Sequence, residues 1–281
     1  MISINAELLS LNGMETEEAL RIALDMAGFT EVPGDTAIHV PGNFNKPLVT
    51  IDVDVSELLL AKSLGCDGVI AHHPTGISHI NFFRVLERHV DFMQSFGITG
   101  DLYSLIQPIR ERSKLRAHVS IAYHVVDAAK RLNMPLMNVH LPCDEIGRKI
   151  METRVNSAGS KVSDIIKSLS VLREFRNGIK PEVVLGREEN ERGKTALVVA
   201  AGTNGGYSIA KKYFASGFET VIYMHIDQED LRKLREDPET KNKNLILIGH
   251  APGDSIGINA YLAELKKKGV KPVTIGIMGE E

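Results

Sequence analysis

Residues 56–74 read Ser56-Glu57-Leu58-Leu59-Leu60-Ala61-Lys62-Ser63-Leu64-Gly65-Cys66-Asp67-Gly68-Val69-Ile70-Ala71-His72-His73-Pro74. The spacing predicts a helix from Leu58 to Leu64, with Ser56 as its N-cap and Gly65 as its stop. Val69-Ile70-Ala71 is an apolar run too short for a helix and is expected to be a buried strand. A similar unit runs from Ser208-Ile209-Ala210-Lys211 to Val221-Ile222-Tyr223-Met224-His225. A looser one runs from Val126 to Leu132 and then from Leu136 to His140, and a fourth strand, Leu245 to Gly249, is followed by His250. Helix-turn-strand units match by chance easily, so duplication and coincidence both remain open. Either way, four predicted strands end in histidine. In open α/β sheets, ligands sit beyond the carboxyl ends of the strands, where such histidines can converge.

Helical and strand periods alternate along the chain, which indicates an α/β protein. Glu15 to Ala27 is expected to be an amphipathic helix closed by Gly28. Residues 79–118 carry helical periods, read as an insertion able to cover a cleft. Its stretch Arg110-Glu111-Arg112-Ser113-Lys114-Leu115-Arg116 is read as a solvated helix face rather than a patch for an anion. Pro181, Gly186 and the charged run Arg187 to Arg192 suggest a lobe boundary near Gly178. The expected architecture is two related α/β lobes with mixed sheets around a central metal-binding cleft. Residues 1–178, with the insertion at about 79–118, form the first lobe, and residues 179–281 the second.

The chain has 281 residues, 43% of them hydrophobic and 25% charged, which excludes wholesale disorder. The formal charge of −3 carries no footprint for nucleic acid or an anionic membrane, so neither is an expected partner. Two cysteines make no disulfide framework, the first basic residue is Arg21, and no apolar run is long enough to span a bilayer. A cytoplasmic protein is expected.

Three clusters can carry chemistry. Pro74 forces a turn after His72-His73, so both rings can reach the sheet rim. His140 and Asp144 lie four residues apart after one predicted strand, and His250 and Asp254 repeat that offset after another. Singly, the two His-Asp pairs each admit a structural reading, with the Asp as an N-cap beside a surface His, and a pair of adjacent histidines alone is a weak signal. Two ions sharing a carboxylate need about five to seven protein ligands, and together the clusters offer six. Imidazole suits Zn, Mn, Fe, Co or Ni.

The order HHP, HxxxD, Gly186-Arg187, a Gly-rich strand-turn-helix and GHxxxD resembles the Nif-three-like family of dinuclear metal proteins, described as homologues of type 2 GTP cyclohydrolase I. The resemblance covers about residues 48–75 and 120–265. It implies His72, His73, Asp144, His250 and Asp254 as ligands of two divalent ions, with Asp144 bridging and His140 close by. Two departures stand out: Asp254 replaces the family's usual Glu, and the segment between Pro74 and His140 is longer than the family norm. The resemblance also implies a homo-oligomer such as a hexameric ring, and a small-molecule substrate such as a purine nucleotide.

Gly202, Gly205 and Gly206 open a predicted helix and can cradle a phosphate or simply make a turn. His225, followed by Asp227, can line the cleft or serve structurally. His118, His124, Cys66 and Cys143 are read as structural. The expected chemistry is metal-assisted hydrolysis, in which the pKa of a water between two ions falls toward neutrality and His140 or His225 orients it or shuttles a proton. A non-catalytic metal-binding or metal-delivery protein acting through a partner is the alternative.

Overall fold

A computed structural model describes residues 13–176, 178–199 and 205–279. In chain order the first sheet region holds β1 (Met14–Glu15), α1 (Thr16–Ala27), β2 (Ala37–Val40), β3 (Asn43–Phe44), β4 (Pro47–Thr50), α2 (Val55–Ser63) and β5 (Gly68–Ala71). The insertion follows as α3 (Gly76–Asn81), a 3-10 segment, α4 (Arg88–Ser95) and α5 (Leu102–Val119), after which α6 (His124–Leu132) leads to β6 (Leu136–Asn138). The chain continues through α7 (Leu141–Asn156), α8 (Val162–Ser170), β7 (Glu182–Leu185), β8 (Thr195–Leu197), α9 (Gly206–Ala215), β9 (Thr220–Tyr223), α10 (Gln228–Glu236) and β10 (Asn244–Leu247). It closes with α11 (His250–Lys267) and β11 (Val273–Ile275).

The two main sheets share one plan. In the first, β4, β5 and β6 are parallel and β2 pairs antiparallel with β6. In the second, β8, β9 and β10 are parallel and β7 pairs antiparallel with β10. Each sheet is therefore mixed, and an α/β protein of two related lobes results. Two stretches cross between the sheets. Val162, Ile165 and Leu169 of α8 pack with Leu197, Ile222 and Ile246 of the second sheet. β11, within the range 179–281 read as the second lobe, pairs in parallel with β4 of the first.

Strand alternation sorts the core into layers. Leu48, Val69 and Leu136 face α2 and α6, whereas Val49, Ile70 and Met137 face α1 and α11. Ala196, Val221 and Leu245 face α9 and the insertion, whereas Leu197, Ile222 and Ile246 face α7 and α8. Both strand faces are apolar because both are covered. The helix at 55–63 begins earlier than Ser56 predicts. Its cap is Asp54, whose backbone N–H donates to Glu57 Oε2 at 2.7 Å in a capping box, a reciprocal bond that Ser56 cannot form. The charged run 187–192 joins β7 to β8 inside the second sheet rather than dividing the lobes.

The insertion bridges the two halves. Val90, Met93, Leu102 and Ile106 pack against Ile209, Tyr213 and Phe214 of α9. α7 and α11 meet between the sheets through glycine. A Cβ on Gly147 would sit 3.1 Å from the Gly257 nitrogen, and one on Gly257 would collide with the Cys143 carbonyl. Small residues allow such backbone contact. Gly257→Ala is expected to cost roughly 1–3 kcal/mol by overpacking. Because α7 and α11 each carry a candidate ligand, this variant should also weaken divalent-metal uptake. Denaturant melts with and without metal check both effects.

Candidate metal centre

β5 hands its ladder to the two histidines. His72 N–H donates to Thr50 O at 2.9 Å and His73 N–H to Ile51 O at 2.8 Å, so the pair stays registered against the end of β4. The His72 side chain is buried and that of His73 is 23% exposed. His140 caps α7 and Asp144 lies in that helix's first turn. His250 opens α11 after Gly249, whose φ of +87° favours glycine, and Asp254 follows one turn later. Both carboxylates thus sit near helix N-termini, which favour negative charge.

These residues converge. His72 Nε2 lies 3.3 Å from Asp144 Oδ1 and 3.6 Å from Asp254 Oδ1. Asp254 Oδ2 is 3.4 Å from both His73 Nε2 and His250 Nε2, and His140 Nε2 is 3.9 Å from Asp144 Oδ2. Three overlapping groups have ligand atoms close enough to hold metal: His72 with His73 and His140, His73 with His250 and Asp254, and His72 with Asp144 and Asp254.

The outer nitrogens fix the tautomers. His72 Nδ1 meets the Val139 carbonyl at 3.0 Å, His140 Nδ1 meets Asp35 Oδ2 at 2.7 Å, and His73 Nδ1 meets Asp52 Oδ1 at 2.7 Å. Carbonyl and carboxylate oxygens only accept, so each Nδ1 donates and each neutral ring turns an Nε2 lone pair toward the centre. This is the outer support typical of metal-ligating histidines. His72 Nε2, both Asp144 oxygens and Asp254 Oδ2 are buried without a hydrogen-bond partner among the described residues. Buried polar atoms are normally satisfied. A divalent cation would satisfy all four, so the donor set fits a metal.

Electrostatics agree. Burial disfavours a charged His72, but Asp254 and Asp144 outweigh it and hold this imidazole well above its ordinary 6.5. Burial likewise opposes charge on His140, yet Asp144 and Asp35 raise it. Burial would raise Asp254, but His72, His73 and His250 hold its carboxyl far below the usual range. His225 and His250 are lowered, chiefly by burial.

The His225 ring lies 4.7 Å from that of His250, centroid to centroid, and lines an adjoining cavity of about 560 Å³ with His73, His140, Gly205 and Gly206. Gly205 and Gly206 have positive φ, and a Cβ on either would strike Ile209 or Asp230. The chain's own packing accounts for both glycines, and Gly202 lies outside the described residues. Cys143 is buried in the core, and His124 pairs with Asp54 at the surface at 2.7 Å.

Sequence reading missed Asp35 and Asp52. Asp52 follows the carboxyl end of β4, a position the strand-end rule covers. Asp35 precedes β2, and only that strand's antiparallel pairing brings its amino end to the same rim. Missed too was the full extent of one repeat: His140-Leu141-Pro142-Cys143-Asp144-Glu145-Ile146-Gly147 and His250-Ala251-Pro252-Gly253-Asp254-Ser255-Ile256-Gly257 share His, Pro, Asp, Ile and Gly in register.

Fold and site define a two-lobed α/β protein with His and Asp groups able to hold metal between its sheets. The crystal structure of a NIF3 superfamily protein from Sphaerobacter thermophilus shares 40% sequence identity with it, covers 95% of this chain and 100% of its own, and superposes with a TM-score of 0.90. The chain belongs to the NIF3 superfamily. Reduced HcgD from Methanocaldococcus jannaschii (13% identity, 93% and 97% covered, TM-score 0.59) and a Bacillus cereus protein related to NIF3 (9%, 93% and 96%, 0.51) share the fold. No family model and no curated protein matches the chain.

Metal should stabilise this protein by linkage, about 2.7 kcal/mol at a hundredfold excess over Kd. Because His72 is raised in the folded state, its contribution to metal-free stability is full below the imidazole's ordinary 6.5 and is lost as pH rises through the higher folded value. Metal competes with that proton. The metal-induced rise in Tm should therefore grow with pH above 6.5 in the wild type and shrink strongly in Asp254→Asn, as scanning calorimetry with and without chelator would read.

Proposed function

We propose that this chain is a dinuclear metal-dependent hydrolase acting on a phosphorylated heterocycle, with a purine nucleotide as the leading class. The observation that carries this reading is four buried ligand atoms without a hydrogen-bond partner among the described residues, beside a cavity large enough for such a molecule. His72, His73, Asp144, His250 and Asp254 would hold two divalent ions, drawn from Zn, Mn, Fe, Co or Ni, with His140 beside them. Those ions would supply Lewis acidity and a lowered water pKa. The cavity orients the substrate over the rim. His225, kept neutral by burial, accepts a proton from the entering water at a ring nitrogen and returns it to the leaving group.

A metal carrier would need the same ligands. The roomy cavity opening on His73 and His250 favours catalysis, since catalytic centres keep an approach for substrate where storage sites are closed by protein. The same reading includes a cytoplasmic location, which suits two free cysteines. No helix among the described residues is long and apolar enough to cross a membrane. It also includes a homo-oligomer such as a hexameric ring. Val119 (82% exposed) and Ile121 (79%) present apolar surface that a second copy would cover. A monomer in sedimentation at micromolar concentration would remove that part.

The test is a hydrolysis screen of phosphorylated nucleosides and heterocycles. Activity should vanish with chelator and return with a divalent ion. His225→Gln should lower kcat about a hundredfold, within the range for losing an acid–base group, while keeping wild-type metal content. Full activity in chelator, or in His225→Gln, contradicts the assignment.

A further inference from the structure

The basic stretch at 110–116 is largely exposed, as a solvated face would be, but its cations differ in what they meet. Arg110 is paired with Glu87 at 2.7 Å, and Lys114 lies over the Phe83 ring at 5.1 Å. Arg112 and Arg116 instead line the cavity at the metal rim. On α5 the residues facing the cavity follow helical spacing: Leu105 and Ile109, then Arg112 and Arg116. The cavity-lining stripe thus changes from half-buried apolar residues to two exposed cations along the helix.

Among the described residues, no carboxylate stands within 4.0 Å of either guanidinium, although Lys211, Arg148 and Arg232 are all paired with carboxylates. Like charges four apart on a helix repel by about 0.2–0.5 kcal/mol, and no ion pair among the described residues offsets that. Asp52, Asp227 and Asp230 also line the cavity; Asp52 is engaged by His73 at 2.7 Å and Asp230 by Lys233 at 3.8 Å. The amino end of α9 opens on the same cavity through Gly205 and Gly206, but the Asp230 carboxylate lies against Gly206, so the charge for an anion comes from the two arginines.

We infer that Arg112 and Arg116 are the anion-binding wall of the cleft, taking the phosphate of a phosphorylated small molecule whose apolar body lies along Phe82, Leu105 and Ile109. This rests on the cavity being the substrate site. Guanidinium forks match phosphate oxygens in pairs, and two of them favour a dianion over a carboxylate. The insertion, absent from the metal centre itself, thereby sets which substrates are retained at the metal rim. Arg112 and Arg116 bind and position; the reacting end of the ligand lies toward His73 and His250.

Phenylphosphonate, a non-hydrolysable phosphate analogue with an aromatic body, tests this by calorimetric titration into the full chain, once stripped of metal and once supplied with Mn²⁺. Benzoate serves as the carboxylate comparison. The wild type should bind phenylphosphonate more tightly than benzoate in both states. Arg112→Ala and Arg116→Ala should each weaken phenylphosphonate about tenfold, the loss of one charged hydrogen-bonding partner, and Arg112→Lys should recover part of it. Arg110→Ala should bind as wild type, and all variants should keep the wild-type Tm and Mn²⁺ uptake. Unchanged binding in Arg112→Ala and Arg116→Ala, no binding by the wild type, or equal binding of benzoate overturns the inference. Arginine-dependent binding in a chain that takes up no Mn²⁺ would sink the metal reading and leave this one standing. Normal Mn²⁺ uptake with no arginine dependence would do the reverse.

Discussion

The site depends on one close approach, the crossing of α7 and α11 at Gly147 and Gly257. A side chain at either position would push the helices apart. Each glycine lies three residues beyond an aspartate, so the crossing also sets the separation of Asp144 and Asp254, which both approach His72 Nε2. The sheets contribute the rest. β5 delivers His72 and His73 against β4, while β6 and β10 deliver the histidines that open the two helices. The first sheet alone would present His72, His73, His140 and Asp144. The second sheet supplies His250, Asp254 and His225 because α11 returns to pack beside α7.

Two buried aspartates near one another are costly unless cations accompany them, by several kcal/mol for each uncompensated ion. In the chain alone that compensation is partial. His72 is held toward its protonated form and Asp254 is stabilised as an anion, yet four ligand atoms have no hydrogen bond among the described residues. Asp35 and Asp52, behind His140 and His73, keep the inward lone pairs available. The centre is thus arranged for a cation that the protein's own side chains do not supply, with the insertion closing the cavity above it.

Much of this was legible in the sequence for physical reasons. Pro74 after two histidines, and the His-to-Asp offset of four, are local patterns whose geometry follows from strand and helix periods. The helix from Thr16 to Ala27 with its Gly28 cap was equally local. What escaped reading depends on pairing between distant segments. Asp35 reaches the rim only because β2 runs antiparallel to β6. β11 joins the first sheet only because α11 turns back across the molecule. Arg112 and Arg116 differ from Arg110 only in which face of α5 they occupy, and nothing local says which face meets a cavity. Asp54 displaced Ser56 as a cap because Glu57 reaches back to it, a competition between neighbouring capping residues that propensity alone does not rank.

The cluster around His72, Asp144 and Asp254 is expected to hold metal. Anomalous diffraction from crystals of the full chain grown with Mn²⁺ or Zn²⁺ tests it most directly. Anomalous peaks are expected within bonding distance of His72 Nε2 and the carboxylates of Asp144 and Asp254, with a second peak beside His73 and His250. Crystals diffracting well with metal in the medium, but showing only water or nothing between these side chains, would contradict it.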